Sequence, residues 1–167
     1  IKIIFGRWIL ISHLENNVHK PRSSHAHHDF LSFNLYLDSE ELLINTGSFN
    51  YMNSVEGRYG KSSISHNALS IDGQPTSLSK RDRFIPGSYR RKNFSIKNTN
   101  TKKYFILEVV HDGFSRLFNH KVLHKRKIIF CEKKIRILDT LYAEENLNVR
   151  ITNHLPVGFE YLFNDLI

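Results

Sequence analysis

The chain has 167 residues, 40% of them apolar and 12% aromatic, enough to bury one domain core and too apolar for disorder to describe the whole. Its one cysteine, Cys131, excludes an internal disulfide, and no run is apolar enough to cross a bilayer as a helix. A formal net charge of +8 favours an anionic partner, whether nucleic acid, an acidic membrane surface or an acidic polysaccharide.

The patterning is period two or short apolar runs, which predicts strands rather than helices. Trp8 to Ser12 suits a strand, although Trp8 to Val18 is the best helical candidate in the chain. From Phe30 to Leu37 the sequence alternates, with Leu31, Phe33, Leu35 and Leu37 on one face. Asp38-Ser39-Glu40 reads as a turn and Leu42-Leu43-Ile44 as the return strand of a hairpin. Residues 52 to 65, rich in Ser, Gly and Asn, read as a long loop of the kind that carries function. Ala68 to Ile71 is a short strand closed by the turn dipeptide Asp72-Gly73. Tyr104 to His111 is apolar on both faces, Val122 to Phe130 and Lys133 to Tyr142 make a strand pair, and Val149 to Leu155 is a further strand. The basic clusters Arg90-Arg91-Lys92 and Lys125-Arg126-Lys127 read as solvated strand edges. No repeat, low-complexity stretch or domain boundary interrupts this pattern. The prediction is one all-β domain over residues 1–167, an antiparallel β-sandwich of two packed sheets.

Three stretches concentrate chemistry. Ser24-His25-Ala26-His27-His28-Asp29 is the densest: in an extended backbone His25, His27 and Asp29 share one face and His28 takes the other. Imidazoles there can act as bases near neutral pH or hold a divalent metal, with the carboxylate fixing a ring. Leu43-Ile44-Asn45-Thr46-Gly47 ends a strand on a polar residue before a glycine turn. His66-Asn67 follows the long loop and precedes a strand. A histidine, a polar strand-end residue and a second histidine could form a three-ligand metal site, but spacing along the chain does not show that they meet.

The run HAHHDFLSFNLYLDSEELLINTGSFNYMN, followed by RYGKSSISHNALSIDG, resembles the C-terminal domain of heparinase II/III-like polysaccharide lyases. The family pattern is His-x-His-x-Asp, an alternating strand, a turn, an Asp-x-Gly strand end and a later His-Asn before a strand. HKRKIIF and IRILDTLY resemble later strands of the family's sandwich. The specific part of the likeness spans residues 24 to 73. It implies a two-part enzyme, in which an N-terminal helical toroid carries a catalytic tyrosine and the sandwich completes the active site across a cleft. Nothing in this chain looks like the toroid, and the chain starts at Ile1 rather than Met. The expectation is therefore a fragment, inactive alone, whose partners are its own N-terminal helical domain and an anionic polysaccharide.

Carried over by position, His25 matches the family's active-site histidine, and His27 and His66 match two ligands of a metal that is usually zinc. Asn45 stands where the family has an aspartate ligand. Asparagine offers a neutral carbonyl oxygen without the charge that favours a cation. Asp29 would support the site from behind. Tyr51 and Tyr59 lie on the loop where some relatives place an active-site tyrosine. Arg58, Lys61, Arg81, Arg83 and Arg90 are candidate substrate contacts. The implied reaction is β-elimination at a uronic acid, as found in glycosaminoglycans and alginate, with no organic cofactor. Relatives work in the periplasm, at the cell envelope or outside the cell. The competing reading is a non-catalytic carbohydrate-binding or scaffold module of an envelope-polysaccharide protein. A nucleic-acid-binding β domain would leave the histidine cluster unexplained, so no nucleic-acid partner is expected.

Overall fold

The computed structural model describes residues 1–14, 27–47, 54–76, 79–80, 85–86 and 94–157, with the backbone alone for the two short pieces between 79 and 86. The first sheet runs β1 (Lys2–Phe5), β2 (Trp8–Ser12), β3 (Phe33–Leu37) and β4 (Glu40–Leu43), each antiparallel to the next. A helix α1 (Val55–Lys61) and a 3-10 turn (Ser63–Ser65) then lead into β5 (Leu69–Ile71). After the small hairpin of β6 (Ser79–Lys80) and β7 (Ile85–Pro86) comes the second sheet. Its strands are β8 (Phe94–Asn100), β9 (Tyr104–His111), β10 (Leu123–Cys131) and β11 (Lys134–Tyr142), in spatial order β11-β10-β9-β8. The last strand, β12 (Val149–Ile151), pairs with β5.

The two large sheets face each other across one core, so the predicted all-β antiparallel sandwich is the observed architecture. Ile3, Trp8, Leu10, Phe33, Leu35 and Leu43 pack against Leu107, Val109, Ile128 and Phe130. Leu10, Phe33 and Phe130 are almost wholly enclosed; each such side chain contributes roughly 2 kcal/mol by leaving water. Trp8 also ties the sheets together, its Nε1 donating to the carbonyls of Cys131 at 3.0 Å and Glu132 at 3.3 Å. The β3–β4 turn is a two-residue one with positive φ at Asp38 (51°) and Ser39 (71°), the geometry that matches the right-handed strand twist.

Several expectations need correction. Residues 52 to 65 are not all loop: Ser54 caps α1 by accepting the Gly57 N–H at 3.1 Å. Leu31 shares the buried face with Phe33 and Leu35 but lies before the strand, at φ 64°. Tyr104 to His111 buries only one face, through Leu107, Val109 and His111. The strand expected to reach Leu155 stops at Ile151. β8 was not anticipated, and at the sheet edge it is exposed along almost its whole length.

The largest correction concerns Lys125-Arg126-Lys127. β10 alternates strictly, and His124, Arg126, Ile128 and Phe130 all point inward. Only the two lysines behave as a solvated face. Arg126 is 2% exposed. Its cross-strand neighbour on β11 is Asp139, and the guanidinium grips that carboxylate with two bonds, Nε–Oδ1 at 2.7 Å and Nη2–Oδ2 at 2.8 Å. The remaining nitrogen, Nη1, donates to the Leu31 carbonyl at 2.8 Å and to the Asn67 carbonyl at 3.2 Å. One buried cation thus joins two stretches far apart in the sequence.

Candidate active site on the histidine rim

Asn67, wholly enclosed, organises this rim. Its Nδ2 donates to the carbonyls of Phe33 at 2.7 Å and Ile44 at 2.8 Å, and its Oδ1 accepts the His154 N–H at 2.6 Å. The end of β4, the residue after His66 and the segment beyond β12 are therefore fixed by one side chain. Thr46 adds a hydroxyl bond to the Ser65 carbonyl at 2.5 Å. Asn45 and His66, adjacent to these ties, are brought together.

Asn45 Oδ1 lies 2.8 Å from His66 Nδ1 and accepts the Gly47 N–H at 3.1 Å. An amide oxygen can only accept. His66 Nδ1 must therefore carry the proton and donate it, which leaves the lone pair on Nε2. That Nε2 is buried and has no hydrogen-bond partner among the described residues. Burial pushes the His66 pKa down to about 4, with the charges of His27 and His154 adding to the effect and Asp29 and the Gly60 carbonyl opposing it. The ring is neutral at physiological pH, and its Nε2 has no hydrogen-bond partner among the described residues.

His27 stacks beside it. The two ring centroids are 5.3 Å apart and the planes are inclined by 34°. Burial also lowers the His27 pKa, with Asp29 working against this and Lys61 and His13 with it. Asp29 accepts from His13 Nδ1 at 2.8 Å. Burial resists ionisation of Asp29, but the His13 bond and the nearby imidazoles outweigh it, so its pKa falls below the usual carboxylate value. The backbone carries the arrangement further: the His28 N–H donates to the Lys61 carbonyl at 2.9 Å, joining the histidine stretch to the end of α1. That helix turns Gly57, Gly60 and Lys61 inward and leaves Arg58 and Tyr59 outward.

Of the residues singled out from sequence, His27, Asn45, His66 and Asp29 lie in one neighbourhood, with Lys61 close by. His28 takes the other direction, being buried beneath the rim with its pKa lowered to about 4 by burial and Arg116. Tyr59, 38% exposed, and Arg58 occupy the outer side of α1. His25, Tyr51, Arg81, Arg83 and Arg90 lie outside the described residues. Among the described residues no three His, Cys, Asp or Glu side chains group closely enough to hold a metal.

Sequence reasoning missed a second histidine cluster below the rim. His111 Nδ1 accepts the Gly113 N–H at 3.0 Å, so its Nε2 donates to His124 Nδ1 at 2.9 Å. His124 Nε2 in turn donates to Asp139 Oδ1 at 2.7 Å, where Arg126 also ends. Burial lowers the His124 pKa against the pull of Asp139. Burial disfavours the Asp139 anion, but His124 and Arg126 together hold it far below the usual carboxylate range. The available signal was the spacing of His124 and Arg126, two apart on the inward face of an otherwise apolar strand.

The fold and rim define a class: an antiparallel β-sandwich that gathers imidazoles from two distant stretches at one end of its core. Residues 7–160 match the family described as heparinase II/III-like, C-terminal, and the chain belongs to that family of polysaccharide-lyase domains. No curated protein matches the chain significantly.

Proposed function

We propose that this domain forms one wall of the active site of a lyase that cleaves uronic-acid polysaccharides by β-elimination. The observation that carries the reading is the juxtaposition of His27 and His66 at 5.3 Å, with a buried His66 Nε2 that nothing in the described protein uses. Asn45 holds one nitrogen of His66; among the described residues the other has no hydrogen-bond partner, a condition shared with His120 Nε2, which has no second imidazole stacked beside it in this way.

In such a reaction a base removes the proton at C5, the electron pair forms the C4–C5 double bond, and the C4–O bond breaks as the leaving oxygen takes a proton. The C5 proton is acidic enough only if the neighbouring carboxylate is neutralised by fixed charge or hydrogen bonds. Under this reading His25, two positions before His27, contacts the uronate, and a tyrosine, Tyr51 or Tyr59, takes or returns the proton. Arg58 and Arg90 are assigned to the flanking sugars. His27 and His66, neutral under working conditions, supply lone pairs rather than charge.

A zinc ion would be held by His66 Nε2 and by His27. The donor set is incomplete beyond them, because both bonds that Asn45 Oδ1 accepts, from His66 and Gly47, are already made. The residues fit a weakly held ion at best, and no step above passes through it. Asn45 also favours one rival reading, a non-catalytic glycan-binding module at the cell envelope, since a neutral residue stands where the family has a carboxylate. In either case the protein is expected where such polymers are met, in the periplasm, the envelope or the medium.

Ultraviolet absorbance of the unsaturated uronate product separates the two. The full-length protein, given alginate, heparan sulfate and related polymers, should produce it from at least one, and His27→Ala should abolish most of the rate. Glycan binding with no absorbance change on any uronate polymer would leave the module reading.

A further inference from the structure

Lys61 closes α1 with 6% of its surface exposed. Lysine is almost never so enclosed unless an anion pairs with it. Among the described residues no carboxylate lies within ion-pair distance of its ammonium, and none of the side-chain hydrogen bonds involves it. Every other acidic group near the rim has a partner of its own: Asp29 is taken by His13 and Asp139 by Arg126 and His124. The Lys61 main chain is pinned beside the histidine stretch through its carbonyl and the His28 N–H. Its charge is felt at the His27 ring, where it disfavours protonation. Its ammonium is not among the buried, unpartnered nitrogens of the described residues: the aliphatic stem is enclosed while the charged tip reaches the surface beside the imidazole pair, where an anionic ligand can meet it.

We propose that Lys61 is the binding residue for the ionised carboxylate of the substrate uronate, completing on binding the charge pair that the described residues leave open. The inference rests on the lyase reading and deepens it. The ammonium would lie against the carboxylate attached to C5, where negative charge spreads as the proton leaves. A fixed cation there is stronger in the transition state than in the ground state. Arg58, on the outer side of the same helix, does not meet these conditions.

The test compares Lys61→Met and Lys61→Arg in the full-length protein. The substrate is the uronate polymer that the wild type cleaves, in its ionised form and as its methyl ester, which is already neutral. Lys61→Met should lose about 100-fold or more in kcat/KM on the ionised polymer and retain most activity on the ester. Lys61→Arg should recover much of the loss. Thermal unfolding gives an independent readout: methionine keeps the packing of the enclosed stem and removes only the charged tip, so the Met variant should melt close to the wild-type temperature. Equal losses on both polymer forms, or a marked drop in melting temperature, would overturn the assignment in favour of a structural role. Should the wild type cleave no uronate polymer, the lyase reading fails separately. Lys61 is then judged by glucuronate-induced shifts of the His27 ring resonance. Such shifts in the wild type and their absence in Lys61→Met support the binding role, and their absence from both rejects it.

Discussion

Two histidine pairs stand out among the described residues, and they differ in one respect. In His111–His124 each ring nitrogen has a partner, from the Gly113 N–H at one end to the Asp139 carboxylate at the other. In His27–His66 the chain of bonds among the described residues stops at His66 Nε2. His66, His111 and His124 are fully enclosed and His27 is half-buried, and burial lowers a pKa in each pair. Burial and perturbed titration therefore do not distinguish a site from a scaffold here. What distinguishes them is the unused lone pair, since a polar atom left unsatisfied in a protein interior is costly to keep.

The comparison can be broken most severely from the scaffold side. Arg126→Ala would leave Asp139 ionised and unpaired inside the sandwich, with a cost of about 3–5 kcal/mol; urea unfolding should show a matching drop in midpoint. The same substitution releases the carbonyls of Leu31 and Asn67, so the His27 and His66 ring resonances should shift although neither touches residue 126. A variant that loses stability while those resonances stay in place would show that the two clusters are independent.

Acid provides a smaller perturbation. His66 and His28 bind protons only near pH 4 when folded, against an ordinary value of 6.5. Between those limits the unfolded chain takes up protons that the folded chain refuses, so stability falls as pH drops from 6.5 and levels off near 4. Each ring contributes roughly 3 kcal/mol to this loss. Asp139, held ionised when folded, adds a further decline below its ordinary 3.8. His66→Gln should remove about half of the first decline, leaving the His28 share and the second; an unchanged profile would show that residue 66 is not one of its sources.

The smallest expected effect sharpens the contrast. Asn45→Asp places an anion against His66 Nδ1, which should raise the His66 pKa toward the ordinary value. It should also strengthen zinc binding by about 10- to 100-fold, as carboxylate partners of histidine ligands do. NMR titration and zinc competition measure the two; no change in either would mean that residue 45 does not govern the open ring.

Much of the sandwich was legible because its strands obey simple periodicity. The β3–β4 and β10–β11 hairpins follow from alternation and turn residues. Helix α1 was hidden because Gly57, Gly60 and the flanking serines have poor helix propensity, and the signal that reveals it, the Ser54 cap, looks like any loop serine. β8 is an edge strand without an apolar face, so period two could not show it. Arg126 was masked by two lysines, and its pairing with Asp139 exists only once the hairpin register is set. The meeting of His27 with His66 was anticipated from the order of motifs rather than from any local pattern. The open Nε2 and the enclosed Lys61 depend on tertiary packing and leave no trace in spacing.

The strand after residue 148 has a consequence for timing. β12 zips along β5 for three residues, and His154 just beyond it bonds to Ile44, Ile64 and Asn67. Both large sheets are complete in the chain before this segment begins. A nascent or proteolytically nicked polypeptide ending near residue 148 would hold its sandwich yet lack the clasp over the histidine rim. Within this domain the clasp would then form after the two sheets whose edge it closes.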